Sequence, residues 1–267
     1  VRSVIVIPAR FASTRYPGKP LVPLAGPDGT KTLVQRSWEA AMAVPGIAGV
    51  WVATDDGRIR DHAQGFGAQV VMTSEAARNG TERCAEALAA GVFDADLVVN
   101  LQGDAPLTPP WFVTALVAAM AADPAAEIAT PVLRCDAQTL DNFRADRRAG
   151  RVGGTTAVFG AGGRALYFSK EVIPWLPDGP VPDPIPVFHH VGLYAYRPAA
   201  LRAYPGWPQG PLETLEGLEQ LRFLEQGRAV ACVEVTAPGR VFWELNNPVD
   251  VARIEAALQS AETMSRQ

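Results

Sequence analysis

The chain has 267 residues, 48% of them hydrophobic, and a net charge of -4. That is enough for one large domain or two modest ones, and it excludes wholesale disorder. The negative balance argues against a nucleic-acid coat or a generally basic membrane-surface protein, so cations that meet an anionic ligand must be gathered locally.

Cys84, Cys135 and Cys232 are far apart and odd in number. They show neither a disulfide framework nor zinc spacing, and a reducing cytoplasm is the expected compartment. No apolar run approaches the ~20 residues of a membrane span. The first residues read as a strand rather than as a signal peptide.

In chain order, Val4–Ile7 reads as a buried strand. Leu33–Val44 reads as a helix, with Thr32 as a candidate N-cap and Pro45 as a stop. Strands at Val50–Ala53, Gln69–Met72 and Leu97–Leu101 alternate with helices at Asp56–Gln64, Thr81–Ala90 and Trp111–Ala121. Such alternation predicts βαβ units in a mostly parallel sheet covered on both faces. Ligands then bind beyond the carboxyl ends of the strands.

After about Arg134 the pattern changes. Arg144–Arg151 is a charged loop or helix end. Thr155–Phe159 and Ala165–Phe168 predict a hairpin-like pair around Gly160-Ala161-Gly162-Gly163. Prolines 174, 177, 180, 182, 184 and 186 predict an extended excursion. His190–Tyr196 returns as a strand, Leu212–Gln226 reads as one helix and Pro248–Leu258 as a terminal helix. The chain therefore reads as a single domain over 1–267, with a β-rich, proline-rich excursion at 150–200.

Two segments follow strands directly and should converge. The first, Arg10–Lys19, carries Arg10, Arg15 and Lys19 with the hydroxyls of Ser13 and Thr14, while Gly18 permits close backbone approach. A triphosphate needs several donors from one side, and such a loop supplies them. It is neither a Walker A loop, since Pro20 follows Lys19, nor a Rossmann glycine fingerprint. The alternative is a solvated basic turn. In the second segment, Gln102-Gly103-Asp104, the carboxylate of Asp104 could hold Mg²⁺ against phosphate oxygens. A helix cap is the alternative, weakened because Pro109 and Trp111 begin the next helix only several residues later.

Other candidates are less specific. Arg83, in Thr81-Glu82-Arg83 at a helix start, could read a nucleoside edge or be an ordinary helix charge. His190 and Tyr194, four apart on a strand, share a face and could be ligand contacts or a half-buried polar pair. Glu213, Glu216 and Gln220 share one face of the expected helix and could bond sugar hydroxyls or face solvent. Asp94-Ala95-Asp96 has the spacing of a glycosyltransferase metal motif but precedes its strand and so lies at the wrong end.

Ile7-Pro8-Ala9-Arg10 followed by Ser13-Thr14-Arg15-Tyr16-Pro17-Gly18-Lys19-Pro20-Leu21 resembles the opening signature of the Kdo cytidylyltransferases, which make CMP-Kdo from CTP and a 3-deoxy-octulosonic sugar acid. Val52–Asp55, Gly80–Arg83, Val99–Pro106, Ala165–Ser169, Ile173–Trp175, His190–Tyr194 and Pro211–Arg222 continue the resemblance in family order. It implies a three-layer α/β, Rossmann-like mixed sheet of the nucleotidyltransferase type with a β-rich dimerisation and acceptor excursion. It implies Mg²⁺ as cofactor, a homodimer, and no nucleic-acid or membrane partner.

The roles it implies are these. Arg10, Lys19 and Asp104 are catalytic. Ala9, Arg10, Ser13, Thr14, Arg15, Lys19, Thr81, Arg83 and Gln102 bind nucleotide. Gln102, His190, Tyr194, Glu213, Glu216 and Gln220 bind the acid. Asp104 and the residue at 246 hold metal.

The chain departs from the pattern twice. The family's Val-Asp-Thr-Pro-Glu-Asp-Leu becomes Leu245-Asn246-Asn247-Pro248-Val249-Asp250-Val251, so Asn246 replaces a carboxylate, and Glu244 is a candidate stand-in. The family's Val-Lys-Val-Val is replaced in Val152–Val158 by a Gly153-Gly154 segment that follows the arginines of 147–151. These departures leave three other readings open: a small phosphonate acceptor such as phosphonoformate, a nucleotide-binding homologue without turnover, and a glycosyltransferase of related fold.

Overall fold

The computed structural model describes residues 1–12, 16–152, 154–177, 179–238 and 243–265, with side chains described up to residue 260. The expected 13–15 portion of the basic loop and Gly153 therefore lie outside the described residues.

The first half is built of β1 (Ser3–Ala9), a hairpin of β2 (Pro23–Gly26) and β3 (Gly29–Thr32), α1 (Leu33–Met42), β4 (Ile47–Thr54), α2 (Gly57–Gly65), β5 (Gln69–Met72), α3 (Gly80–Ala89), β6 (Leu97–Leu101) and α4 (Pro110–Ala122). β7 (Ile128–Arg134), α5 (Ala137–Arg148), β8 (Thr155–Phe159), β9 (Ala165–Ser169), β10 (Phe188–His190) and β11 (Leu193–Tyr196) follow. α6 (Pro198–Ala203), α7 (Pro211–Glu216), α8 (Leu221–Glu225), β12 (Val230–Val235) and α9 (Asp250–Ser265) complete it.

The sheet order is β5-β4-β1-β6-β11-β7-β10-β8-β9, with β12 on β7. β1 is parallel to β4 and β6, β4 to β5, and β12 to β7; β10 and β11 run antiparallel to β7. The result is the expected mixed α/β sheet.

Strand alternation sorts the core into layers. Val4 and Val6 of β1 pack with Cys84, Ala85 and Leu88 of α3 on one face. Ile5 and Ile7 pack with Phe112, Leu116 and Met120 of α4 on the other. A fully apolar strand is thereby buried from both sides, which fits a parallel sheet flanked by helices. Helix starts follow side-chain capping: Thr32 accepts from Gln35 N, Asn79 from Glu82 N and Asp136 from Thr139 N.

Several expectations change. The helix expected at 212–226 is two helices, because Gly217 takes a left-handed φ of 62° and ends α7. Glu213 and Glu216 therefore do not share a continuous face with Gln220. The strand expected at 190–196 breaks after His190; Val191 N bonds Pro131 O and Leu193 N bonds Val191 O, so the chain moves from a neighbour on β8 to one on β6. His190 and Tyr194 nevertheless stay adjacent, with ring centroids 5.7 Å apart. The β2–β3 hairpin, β7 and β12 carry no element in the sequence reading. β7 holds Pro131 within the strand, which masks its β pattern.

Candidate active site

The carboxyl ends of β1 and β6 meet closely. A Cβ at Gly103 would lie 2.6 Å from the Pro8 carbonyl oxygen, so only glycine lets the two strand ends approach this far. The approach sets the basic loop against the Gln102-Gly103-Asp104 turn. Lys19 Nζ bonds Asp104 Oδ2 at 2.6 Å, with 17% and 23% of the two side chains exposed, so this ion pair faces an accessible cleft.

The loop is braced locally. Gly18, at φ 70°, donates from N to Phe11 O at 2.9 Å, and the Phe11 ring packs against it. The Arg58 guanidinium lies 3.3 Å from the centre of that ring. Arg10 is exposed where β1 ends, and Ala9 is buried beneath it.

The chain returns to this cleft near its end. Leu245 N donates to Asp104 O at 2.8 Å, pinning 244–246 beside the metal candidate. Glu244 Oε1 packs against Gly192, 2.9 Å from where a Cβ would stand. Burial and the neighbouring Asp104 carboxylate push it up to about 7, with Lys19 pulling the other way. Asn246 and Asn247 donate from N to Asp250 Oδ2 at 3.0 and 2.7 Å, which fixes the turn. Among the described residues no three His, Cys, Asp or Glu side chains gather as a metal site. The local donor set is Asp104 and Glu244, two oxygen ligands of the kind Mg²⁺ takes alongside phosphates and water.

Gln102, two residues before Asp104, faces a different group. Its Nε2 donates to Glu219 Oε1 at 3.1 Å, and Thr81 N donates to Glu219 Oε2 at 2.8 Å. Burial raises the Glu219 carboxyl above its usual range. Tyr194 OH donates to Gln220 Oε1 at 3.1 Å beside it. Gln102, Tyr194, Glu219 and Gln220 thus form one polar wall. Glu219 stands in it only because Gly217 turns the chain between α7 and α8.

Other predicted site residues are committed elsewhere. Arg83 is buried and donates to Asp55 Oδ2 at 2.9 Å and to the Thr73 hydroxyl, so it braces the end of β4. Thr81 shares a 2.7 Å hydrogen bond with Tyr196 OH. His190 is 5% exposed and has both ring nitrogens engaged, Nδ1 with Thr155 and Nε2 with Thr130, each at 3.1 Å. Burial pulls His190 down to about 3, so it is neutral. Glu213 receives two 2.7 Å bonds from Arg222, which also reaches Glu82. Glu216 accepts from Ser169 Oγ at 2.6 Å and Lys170 N at 2.8 Å and ties α7 to the end of β9.

A cytidylyltransferase family model matches residues 4–252. A 3-deoxy-manno-octulosonate cytidylyltransferase of Maricaulis maris is 43% identical over 255 residues, 95% of each chain. One from Zea mays is 38% identical over 97% of this chain and 82% of its own. The fold of a CMP:2-keto-3-deoxy-manno-octonic acid synthetase complexed with CTP superimposes with a TM-score of 0.81 at 35% identity, covering 96% of this chain and 98% of that one. This chain belongs to the 3-deoxy-manno-octulosonate cytidylyltransferase family.

A cytidylyltransferase of Leptospira borgpetersenii, 15% identical with a TM-score of 0.60, shares the fold. As a Kdo cytidylyltransferase family member the chain is an enzyme of CTP-dependent nucleotidyl transfer, and none of these comparisons supports a phosphonate acceptor or a glycosyltransferase. Among the described residues no helix is long and apolar enough to cross a membrane. The sequence reading singled out Gln220 as a candidate but not its neighbour Glu219, which lies in the same Pro211–Arg222 segment. It named Glu244 without a place.

Proposed function

We propose that the chain transfers CMP from CTP to a Kdo-like 3-deoxy sugar acid and releases pyrophosphate. One observation carries this reading: a single turn, Gln102-Gly103-Asp104, presents Asp104 with Lys19 to one side and Gln102 with Glu219 to the other. A nucleotide and an acceptor bound on the two sides would meet across Gly103. An acceptor hydroxyl oxygen then bonds the α-phosphorus and gives up its proton to solvent, while the bond from that phosphorus to the bridging oxygen breaks and pyrophosphate leaves. Arg10 and Lys19 offset charge that builds on the phosphoryl and leaving oxygens.

The acceptor wall of Glu219, Gln102, Gln220 and Tyr194 favours a polyol over a phosphonate. Hydroxyls can donate to Glu219, whereas a polyanion would be repelled by it. Lys170, whose ammonium lies 3.2 Å from the Cβ position of Gly217, makes no ion pair among the described residues and is a fitting anchor for the acceptor's carboxylate.

Mg²⁺ fits Asp104 and Glu244, with Asn246 beside them as a neutral group that supplies no charge. When bound, the ion would neutralise phosphate oxygens. A carboxylate retained in this form argues for turnover over a silent homologue. The proline-rich segment, with Trp175 81% exposed, suits a homodimer contact. Three buried free thiols suit a reducing cytoplasm.

The test is product mass spectrometry with CTP, Mg²⁺ and separately Kdo or phosphonoformate. CMP-Kdo and pyrophosphate are expected. Product from phosphonoformate with none from Kdo would overturn the reading.

A further inference from the structure

The terminal helix α9 supplies no group to the proposed chemistry, yet its first residue is bound into the cleft. Asp250 is 5% exposed. Its Oδ1 accepts from Trp243 Nε1 at 2.9 Å, and its Oδ2 from Asn246 N and Asn247 N at 3.0 and 2.7 Å. All three donors are neutral, and they stand on either side of Glu244 in the chain. A carboxylate removed from water needs such bonds, and an N–H bond to a charged oxygen is about twice as strong as one between neutral groups. Asp250 thus closes residues 243–247 into the turn that carries Glu244.

The turn is anchored from further directions. Leu245, wholly buried, packs in one cluster with Ile254 of α9 and with Leu24 and Leu33. The Arg253 guanidinium of α9 lies 4.7 Å from the centre of the Trp243 ring. α9 is itself tied to the β2–β3 hairpin, where Ala25 N donates to Glu255 Oε1 at 2.8 Å. Such support has a purpose. Glu244 and Asp104 carry like charge and push each other apart, with Lys19 acting against the repulsion. The backbone bond from Leu245 to Asp104 fixes the segment at one point, and the three bonds to Asp250 fix the residues on both sides of it.

We infer that Asp250 is a positioning residue for the transfer reaction: from the start of α9 it holds the 243–247 turn so that the Glu244 carboxylate stands beside Asp104 to receive a divalent cation. This rests on the proposed use of Asp104 and Glu244 as metal ligands. Asp250 itself does not touch the ion. Groups that orient a metal's ligands through hydrogen bonds carry about 10- to 100-fold in metal affinity.

The experiment measures Mn²⁺ binding to the CTP complex by electron paramagnetic resonance, at a temperature where circular dichroism shows each variant folded. Asp250→Ala is expected to bind Mn²⁺ about tenfold or more weakly. Trp243→Phe keeps an aromatic ring and removes one of the three bonds; it is expected to weaken binding about fivefold, and it serves where Asp250→Ala does not fold. In a Glu244→Gln background neither substitution should weaken binding further, because both act on the ion only through Glu244. Unchanged Mn²⁺ affinity in the folded variants, with a lowered melting temperature alone, would make Asp250 a plain helix cap and would overturn the inference. A loss of equal size with and without Glu244 would overturn it too. Unchanged Mn²⁺ affinity in Glu244→Gln by itself would instead sink the metal reading on which the inference rests.

Discussion

Glu244→Gln probes the cleft through stability rather than turnover. Glu244 stands beside Asp104 and is half-buried, so its carboxyl rises from an ordinary 4.5 to about 7. Between these values the folded chain holds a proton that the unfolded chain has lost. Stability therefore falls as pH rises through that window, and is fully lowered above about 7. The rise corresponds to at most about 3 kcal/mol, reduced in practice by relaxation and by solvent reaching the partly buried group.

Glutamine keeps the shape and removes the charge. Glu244→Gln should therefore be more stable than the unmodified enzyme at pH 8 by about 1–3 kcal/mol, and nearly equal to it at pH 5. Urea denaturation at the two pH values measures this. The same variant should bind Mn²⁺ in the presence of CTP about tenfold or more weakly, by electron paramagnetic resonance, because a ligand charge is lost. Equal stability at pH 8 together with equal Mn²⁺ affinity would refute the placement of this carboxylate beside Asp104.

Further outcomes follow from particular contacts. In the Glu244→Gln background, stability should decrease as pH falls from 6.5 towards 4, because burial holds His189 at about 4 and His190 at about 3, so the unfolded chain takes up protons first; a flat denaturation profile there would count against neutral, enclosed imidazoles. Arg222→Met leaves Glu213 and Glu82 without their shared guanidinium. It should cost about 3–5 kcal/mol in urea denaturation while the acceptor KM of the surviving folded enzyme stays near normal, and a large KM change at full stability would instead make Glu213 a ligand contact. Gly103→Ala places a methyl 2.6 Å from the Pro8 carbonyl, which must separate β1 from the Asp104 turn. Turnover with CTP should fall about a hundredfold, given how steeply rate depends on positioning, and unchanged kcat/KM would show that the close approach is dispensable.

What could be read without the fold was whatever depends on near neighbours in the chain. Val4–Ile7 is apolar at every position and so had to be a strand covered twice. Thr32 and Pro45 bracket α1, and the glycine at 103 sits directly between the two candidate site residues Gln102 and Asp104. Lys19 and Asp104 could be nominated because the segments that carry them, Arg10–Lys19 and Gln102–Asp104, directly follow strands and ligands gather at strand ends.

The tertiary structure alone decided how distant segments share one cleft. Glu219 reaches Gln102 and Thr81 only because Gly217 turns left-handed and divides one apparent helix, and three-and-four spacing cannot foresee that turn. Arg83, His190 and Glu213 have residue types suited to ligands, yet buried partners far along the chain claim them. Asn246 marked a loss of charge. That Glu244 stands beside Asp104 depends on the Leu245–Asp104 backbone bond, between residues far apart in sequence. Periodicity and capping are local, whereas the pairing of buried charges and amides is set by which chain segments pack together, and that belongs to the whole fold.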